Sequence, residues 1–360
     1  MCAMLDIANC SKKVNEVRKP ETKDMAKRLG ILSPERIFLK NYPRRFPVTA
    51  FNASFLLSRG EELMVYTRII LGYYKYVSAI AYLEIKLEDL YEGYVNYSHY
   101  PAEIIIGPDT KTDMWGCEDP RAQYLNGQVA MVYTGRTCFY FSHRRTERTV
   151  PILAISEDGI RRWSKVAYFT LPWPLRNYLV SNKDAVLLQV ADKVFLLHRP
   201  HLENFPPSLW YGEVSKERLA SAMQTTEVSE IPLERNCILA LPAEFEERIG
   251  WNTAPIRVSE DEYLVLAHGK GLDEVYRVFA VLLKYDGRNL VISGVTPYYI
   301  MEPRTPYEKY GDRPYVVFPC GAQRYGDKLL ITYGASDSFI GFAEVDLNEL
   351  LSAVKSVPLE

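Results

Sequence analysis

The chain has 360 residues, of which 48% are hydrophobic and 24% are charged, a composition typical of a globular protein that buries a large core. Its net charge of −2 argues against nucleic acid or a membrane surface as a partner. No stretch reaches the roughly 18 apolar residues of a membrane span, and no secretory signal is evident at the N-terminus. The six scattered cysteines form no CxxC pair and no metal-ligand spacing, which predicts reduced thiols in a cytoplasmic protein.

The first 30 residues differ in composition from the rest of the chain. Residues 1–30 are polar and rich in Lys and Glu, and we predict that they form an N-terminal extension outside the core. From Pro34 onward, short apolar alternations separated by turn residues predict β-strands. We therefore assign residues 31–360 to a single all-β domain.

Five segments of this domain share one pattern, in which two apolar runs flank a turn. The turns are Arg59-Gly60, Asn126-Gly127, Ala191-Asp192, Glu260-Asp261 and Gly326-Asp327. Alanines at positions 53, 122, 185, 254 and 322 mark the segments at intervals of 69, 63, 69 and 68 residues. A fixed period of antiparallel hairpins predicts radial repetition, here a five-bladed β-propeller. A sandwich or a jelly roll does not explain the period.

The propeller prediction also indicates where the polar residues of the five segments meet. The innermost strands of all blades open at the same end of the central channel, so equivalent polar residues converge on one pocket. The residues that flank the hairpins in this way are Asn52, Arg68, Glu118, Asp119, Arg121, Lys183, Asp184, Arg199, Arg248, His268 and Asp337. Carboxylates, cations and amides that meet in one pocket are typical of an active site.

The run Gly116–Arg121 places two adjacent carboxylates before a predicted hairpin. Pro120 disfavours helical geometry at the preceding residue, so we expect Asp119 to be extended. In an extended chain neighbouring side chains point to opposite faces, so Glu118 and Asp119 cannot share one role. The simplest alternative for this motif is a surface turn with an ion pair between Asp119 and Arg121.

With the following stretches, the sequence resembles glycoside hydrolase family 130, which comprises inverting mannoside phosphorylases and mannosidases built on a five-bladed β-propeller. The matching stretches are Gly116–Arg121, Lys183–Ala185, Leu197–Pro200, Arg248–Gly250, Ala254–Ile256, Ala267–Gly269, Phe318–Ala322 and Tyr333–Asp337. They extend over nearly the whole chain after residue 31. Each stretch alone is only moderately specific, but the ordered set is highly specific.

The resemblance implies roles for individual residues. Asp119 matches the single general acid, and the phosphate-binding positions match Lys183, Arg199, Arg248, His268 and Tyr276. The implied sugar-binding residues are Asn52, Arg68, Glu118, Arg121 and Asp337. Many family members have Arg-Asn at Lys183-Asp184 and Lys at Arg248, so Asp184 places a carboxylate beside the expected phosphate. We interpret His198 as a structural residue.

These roles predict a β-mannoside phosphorylase that releases α-mannose 1-phosphate with inversion. Several cations around one point suit an anionic nucleophile better than a neutral water molecule. The predicted substrate is a β-mannoside or manno-oligosaccharide, with inorganic phosphate as co-substrate and no metal or organic cofactor. The alternatives are an inverting β-mannosidase, whose second carboxylate would be Asp184, Glu302, Glu308 or Asp337, and a non-catalytic glycan-binding propeller. Linkage, aglycone and the formation of a homo-oligomer stay open.

Overall fold

The computed structural model describes residues 6–7, 10–58, 61–357 and 359. The described residues form five largely antiparallel sheets, which are arranged as the five blades of a β-propeller, as predicted. Four of the five predicted turns lie between paired strands, and the turn at Arg59-Gly60 lies outside the described residues.

Two strands at the start of the chain, β1 (Asp6–Ile7) and β2 (Lys27–Leu32), join sheets that are formed later in the sequence. The first blade contains β3 (Ile37–Leu39), β4 (Thr49–Leu57), β5 (Glu62–Ile70), β6 (Ser78–Lys86) and β7 (Tyr100–Ile106). The second contains β8 (Cys117–Leu125), β9 (Gln128–Arg136), β10 (Thr149–Ser156) and β11 (Ser164–Thr170). The third contains β12 (Leu179–Val190), β13 (Lys193–Leu202), β14 (Leu209–Glu213) and β16 (Glu234–Ala240). Strand β15 (Ser229–Pro232) lies between β14 and β16 in the sequence but belongs to the sheet of the second blade.

The fourth blade contains β17 (Glu246–Trp251), β18 (Ile256–Arg257), β19 (Glu262–Gly271), β20 (Tyr276–Tyr285) and β21 (Leu290–Val295). The fifth contains β22 (Val317–Tyr325), β23 (Lys328–Ala335) and β24 (Phe339–Asp346). The helices are α1 (Cys10–Val17), α2 (Leu87–Tyr91), α3 (Lys216–Ala222), α4 (Pro306–Lys309) and α5 (Leu347–Val354). Short 3₁₀ turns occupy Pro34–Arg36, Tyr94–Asn96 and Leu175–Tyr178.

Three strands pair with sheet edges that are formed by distant parts of the chain. Strand β2 pairs antiparallel with β24, so the N-terminal part of the chain completes the last blade and closes the ring. Strand β15 leaves the third blade and pairs parallel with β11 of the second. Strand β1 pairs parallel with β16 at the outer edge of the third blade. These pairings cover outer sheet edges that would otherwise expose backbone hydrogen-bonding groups.

The prediction that residues 1–30 lie outside the core is wrong for much of the described part. Val14 is fully buried between the third and fourth blades, and Arg18 forms a buried ion pair with Glu246. The proposed boundary at residue 30 falls inside β2. A polar segment with isolated apolar residues has no periodicity that reveals a packing partner, so its sequence alone suggested an extension.

The hydrophobic core is divided in the same way as the ring. Five large clusters of buried apolar side chains each lie between two neighbouring blades. Strands β4, β8, β12, β17 and β22 end their sheets on the inner side and contact one another around the axis. Packing between blades therefore sets the relative positions of the inner strands, and with them the geometry of the channel.

Three inner strands carry the same β-bulge. The pairing register shifts after Phe51 in β4, after Glu118 in β8 and after Lys183 in β12. The first bulge residues, Asn52, Asp119 and Asp184, have φ angles of 50°, 51° and 50°. The expectation that Asp119 is extended is therefore wrong, because the bulge overrides the local preference set by Pro120.

The bulges also correct the alignment of the repeat. The residues that follow them, Ala53, Pro120 and Ala185, are structurally equivalent. Ala122, which marked the second repeat, lies two residues beyond this position. The period of the repeat is close to the predicted one, but in the second repeat the equivalent residue is Pro120 and not Ala122.

The described part of the chain contains no helix that is both long and apolar enough to cross a membrane. Cys117, Cys138, Cys237 and Cys320 are all buried thiols. The prediction of a cytoplasmic location stays a prediction.

Candidate active site

A cavity of about 420 Å³ opens at the end of the channel where the inner strands begin, and all five blades contribute to its wall. The structure brings ten of the singled-out residues to this wall: Asn52, Arg68, Asp119, Lys183, Asp184, Arg199, Arg248, His268, Tyr276 and Asp337. Their convergence follows from the equivalent positions of the inner strands in the ring. The individual roles of these residues stay predictions.

The Asp119 carboxylate is held through one of its two oxygens. Its Oδ1 accepts hydrogen bonds from Asn52 Nδ2 at 2.8 Å and from Arg68 Nη1 at 3.0 Å. No donor from the described residues reaches Oδ2. The side chain is only 8% exposed. This geometry orients the carboxyl group and leaves its second oxygen available to carry a proton or to meet a substrate hydroxyl.

Glu118 is fully buried behind the cavity wall. Its Oε1 accepts from Arg68, Arg136 and Tyr140, and its Oε2 accepts from Lys183 at 3.0 Å. Burial alone would raise the pKa of Glu118, but the neighbouring charges, chiefly those of Arg136 and Arg68, hold that pKa well below its usual range. The predicted direct contact between Glu118 and sugar does not fit this position, because Glu118 faces two cations of the wall, Arg68 and Lys183, and does not line the cavity.

Arg121 is also fully buried and does not line the cavity. Its guanidinium donates to the backbone oxygens of Asn252 at 2.6 Å, of Asp119 at 2.8 Å and of Trp251 at 3.2 Å. It also lies 3.4 Å from Asp184 Oδ1. The predicted direct contact between Arg121 and sugar does not fit this position. Through these hydrogen bonds Arg121 connects the bulge at Asp119 to the fourth blade.

Lys183, Arg199 and Arg248 form the cationic part of the wall. Lys183 pairs with Glu118, Arg199 donates through Nε to Asp184, and Arg248 pairs with the half-exposed Glu247. Arg248 Nε is buried and has no hydrogen-bond partner among the described residues. A buried guanidinium nitrogen without an acceptor is unfavourable unless a ligand supplies one. These cations can therefore hold an anion in the cavity.

Asp184 is the buried carboxylate among these cations, with 1% exposure. Its Oδ1 faces Arg121 and its Oδ2 contacts Arg199. Burial alone would raise the pKa of Asp184, but its surroundings, and the charge of Arg199 first among them, lower it below the ordinary value. A Cβ at Gly250 would lie 2.5 Å from Asp184 Oδ2 and 2.7 Å from Arg199 Cδ, so only glycine permits this packing.

His268 is buried, and burial lowers its pKa to about 3, so the ring is neutral near neutral pH. Its Nδ1 lies 2.8 Å from Asn252 Oδ1. The amide orientation of Asn252 is defined because its Nδ2 donates to the backbone oxygen of Pro319. His268 Nδ1 therefore carries the hydrogen, and Nε2 is an acceptor. His268 supplies no positive charge to the cationic part of the wall.

Asp337 lines the cavity at the start of the loop after β23. Its Oδ2 lies 3.7 Å from Arg313 Nε. Burial, together with the charges of Asp119 and Asp312, raises the pKa of Asp337 to about 6, against the opposing charges of Arg313 and Arg68. The group thus changes its charge close to neutral pH.

Several lining residues were not predicted, and most lie in loops between strands. They are Tyr73, Tyr76, Tyr140, Phe141, Ser181, His201, Asp312, Arg313, Val316 and Phe318. Tyr73 and Phe141 are 77% and 83% exposed. The sequence feature that could have indicated these loops as part of the cavity wall is the pair of aromatic residues in each, Tyr73-Tyr74 and Tyr140-Phe141, within otherwise polar segments. The loop that contains Tyr140 and Phe141 continues into His143–Arg148.

Two carboxylates considered as alternative bases lie away from the cavity. Glu302 contacts Thr22 and Arg277. Glu308 is fully buried, where it pairs with Arg28 and accepts from Tyr333. Neither side chain lines the cavity.

His198 was interpreted as structural. It is fully buried, contacts Asn182 through Nδ1 and does not line the cavity. Among the residues that the structure describes, no group of three or more His, Cys, Asp and Glu side chains is arranged to hold a metal ion. The absence of a metal or organic cofactor from the reaction stays a prediction.

Comparison with known proteins places this geometry in context. A family model described as beta-1,4-mannooligosaccharide phosphorylase matches residues 16–356. A beta-1,2-mannobiose phosphorylase of Thermoanaerobacter sp. strain X514 is 27% identical, with 76% of this chain and 78% of that protein covered. A 1,2-beta-oligomannan phosphorylase of the same strain is 26% identical over 83% and 90% of the two chains.

A solved structure shares the fold. The beta-1,2-mannobiose phosphorylase from Listeria innocua in complex with beta-1,2-mannobiose superimposes with a TM-score of 0.69 and 18% identity. The superposition covers 91% of this chain and 97% of that one.

Proposed function

Because the chain belongs to glycoside hydrolase family 130, we propose that it is a glycoside phosphorylase that cleaves β-mannosides with inorganic phosphate. The reaction proceeds with inversion and releases α-mannose 1-phosphate. Asp119 is the general acid, and the wall formed by Lys183, Arg199 and Arg248 binds the phosphate.

One observation carries this proposal. The cavity holds a carboxylate with a free oxygen, Asp119 Oδ2, and also a cluster of cations that includes the unpartnered Arg248 Nε. Attack by phosphate requires cationic donors for the nucleophile and one acid for the leaving group. It requires no second carboxylate base. The charges of the cavity therefore favour an anionic nucleophile over water.

Asp119 has the surroundings of a positioned acid. Asn52 and Arg68 fix one of its oxygens, so the orientation of the other is set before a substrate arrives. In the family that this chain resembles, the acid is thought to deliver its proton through a hydroxyl of the sugar. We extend this route to Asp119, whose Oδ2 can donate to such a hydroxyl.

Hydrolysis by an inverting β-mannosidase is the second candidate considered. It needs a carboxylate that activates water opposite the acid. Glu302 and Glu308 lie outside the cavity, and both oxygens of Asp184 face arginines. Only Asp337 is left among the four carboxylates named from the sequence, so the hydrolase alternative depends on that residue.

The substrate class follows from the relatives and is part of the proposal. The two curated relatives carry names that specify β-1,2-linked mannosides, whereas the family model is described by a β-1,4 linkage. We propose a β-mannoside or manno-oligosaccharide substrate, with the β-1,2 linkage as the first to test. The open, aromatic-edged mouth of the cavity gives space for sugar units on the aglycone side.

The decisive experiment is incubation with β-1,2- and β-1,4-mannobiose, with and without inorganic phosphate, and identification of the products. Strictly phosphate-dependent release of α-mannose 1-phosphate is expected from at least one of the two substrates. Free mannose formed without phosphate would instead identify a hydrolase. The Asp119→Asn variant serves as the control for catalysis by this cavity.

A further inference from the structure

We propose that Asp184 and His268 form an acceptor pair that makes the anion site select oxyanions carrying a hydrogen, so that hydrogenphosphate binds and sulfate is rejected. The inference rests on the proposed function, because it takes the cationic wall as the phosphate site. It goes further, because it assigns the cations and the acceptors of that wall to different tasks.

Asp184 can only accept hydrogen bonds. Its carboxyl group is ionised because its surroundings, and the charge of Arg199 first among them, lower its pKa, and an ionised carboxylate has about four lone-pair sites and no hydrogen. The two arginines engage one site on each oxygen. Since Asp184 lines the cavity, the remaining sites are open to a donor from a ligand.

His268 is the second acceptor. Its Nδ1 hydrogen is donated to Asn252 Oδ1, which leaves a lone pair on Nε2. This nitrogen is buried and has no hydrogen-bond partner among the described residues. The ring is in contact with Tyr276 and Phe318, with centroid separations of 5.6 and 4.7 Å, so it is packed in place. An unpaired buried acceptor points to a donor that arrives with the ligand.

The two acceptors lie side by side. His268 Nε2 is 3.8 Å from Asp184 Oδ2, a distance too long for a hydrogen bond between them. Neither atom carries a hydrogen that could be shared. A single O–H group placed between them satisfies one or both, whereas an oxygen without a hydrogen faces two lone pairs.

This arrangement separates phosphate from sulfate. Near neutral pH, phosphate is a mixture of hydrogenphosphate and dihydrogenphosphate, and both keep at least one P–OH group, whereas sulfate has four oxygens and no hydrogen. The size and charge of the two dianions are otherwise close. Lys183, Arg199 and Arg248 attract both anions, so the cations provide affinity. The acceptor pair then provides the discrimination, and a charge-assisted hydrogen bond is strong enough to separate the two by roughly 10- to 100-fold.

The first test uses the wild-type protein and isothermal titration calorimetry near neutral pH at constant ionic strength. Phosphate and arsenate, which both retain a hydrogen, are expected to bind with similar affinity. Sulfate is expected to bind at least about 10-fold more weakly. Sulfate binding as tight as phosphate binding would overturn the proposal, and so would the failure of both phosphate and arsenate to bind.

The second test removes the charge of one acceptor. Asp184→Asn presents an amide whose NH₂ group can donate to sulfate, so the ratio of sulfate to phosphate affinity should rise by roughly 10-fold or more. The matched control is Glu247→Gln, which changes the same charge beside Arg248 but lies outside the cavity wall. It should move both affinities together. An unchanged ratio in a folded Asp184→Asn protein contradicts the proposal.

Both tests are independent of turnover. Should Asp184→Asn fail to fold, the comparison of arsenate with sulfate on the wild type still decides the matter. Tight phosphate binding without phosphorolysis of any mannoside would count against the proposed function alone. Phosphorolysis accompanied by equal inhibition from sulfate and arsenate would count against the acceptor pair alone.

Discussion

The cavity has two sides that use the same backbone feature differently. The acid side consists of Asn52, Arg68, Asp119 and Asp337, and the anion side consists of Lys183, Asp184, Arg199, Arg248 and His268. Asp119 and Asp184 occupy equivalent bulges, with φ angles of 51° and 50°. Their contacts are nevertheless different.

Asp119 is held through one oxygen, by an amide and an arginine. Asp184 faces a guanidinium with each of its oxygens. The bulge at Asp119 therefore presents a carboxyl group with one oxygen available to a substrate. The bulge at Asp184 presents a carboxylate that is the counter-ion of two arginines. The backbone therefore places the carboxylate, while the partners around it determine its chemistry, and these come from the neighbouring blade and, in the case of Arg199, from the same blade.

The largest effect is expected at the acid side. Asp119→Asn keeps the shape and the contact with Arg68 but removes the proton, so kcat should fall by about 10²- to 10⁴-fold. The thermal unfolding midpoint should change little. Asp312→Asn, another carboxylate on the wall, is the matched control and should retain most of the turnover. Near wild-type activity of Asp119→Asn would remove Asp119 as the acid.

The next effect belongs to the anion side. Arg199→Ala removes a charged donor from the proposed phosphate site, so KM for phosphate should rise by roughly 10- to 100-fold, while KM for the mannoside changes much less. The control is Arg313→Ala, which removes an arginine from the acid side, where it lies near Asp337. Steady-state kinetics with each substrate varied separately distinguish the two. Equal increases in both KM values for Arg199→Ala would mean that the residue is only structural.

A smaller effect concerns stability and separates Asp337 from Asp184. The pKa of Asp337 is raised to about 6 in the folded protein, whereas an aspartate in the unfolded chain has a pKa of about 3.9. The folded state therefore favours the protonated form, and the stability that this provides is lost as the pH rises from about 4 through about 6. Asp337→Asn should be more stable than the wild type by about 1–3 kcal/mol near neutral pH, with the difference shrinking towards pH 4.

Urea unfolding of both proteins across this pH range measures that difference. Asp184→Asn is the useful contrast, because the pKa of Asp184 is lowered and its charge is stabilised in the folded state. That substitution should destabilise the protein near neutral pH. A stability difference between wild type and Asp337→Asn that does not vary with pH would contradict the assignment for Asp337.

The smallest effect tests the limits of the cavity. Glu302 contacts Thr22 and Arg277 outside the wall, so Glu302→Gln should change kcat by no more than about twofold. The measurement is turnover under the conditions established for the wild type. A loss as large as that of Asp119→Asn would require a second catalytic carboxylate and would favour hydrolysis.

Much of the fold and the site composition could be predicted from the sequence. The turn at Asn126-Gly127 and the four segments like it are recognised by local chemistry, since Asn and Gly tolerate positive φ and the flanking runs alternate. The five-fold repeat then implied the convergence of Asp119, Lys183 and Asp337, because equivalent strands of a propeller surround one channel.

Other parts could not be predicted from local patterns. The burial of Val14 and the role of β2 in closing the ring depend on surfaces of blades more than 170 residues away in the sequence. The family resemblance implied that Glu118 and Arg121 are sugar ligands. Their place behind the wall became visible only through contacts with Arg136 and Asn252.

The sequence by itself determined the repeat, the turns and ten of the side chains that meet in the cavity, because these depend on short-range preferences and on strand periodicity. The tertiary structure decided what each side chain can do there. The hydrogen on His268 is placed by Asn252 and Pro319, and the charge of Asp184 is stabilised by Arg121, 63 residues earlier in the chain. Protonation and hydrogen-bond direction depend on distance and burial, which exist only once the blades have packed.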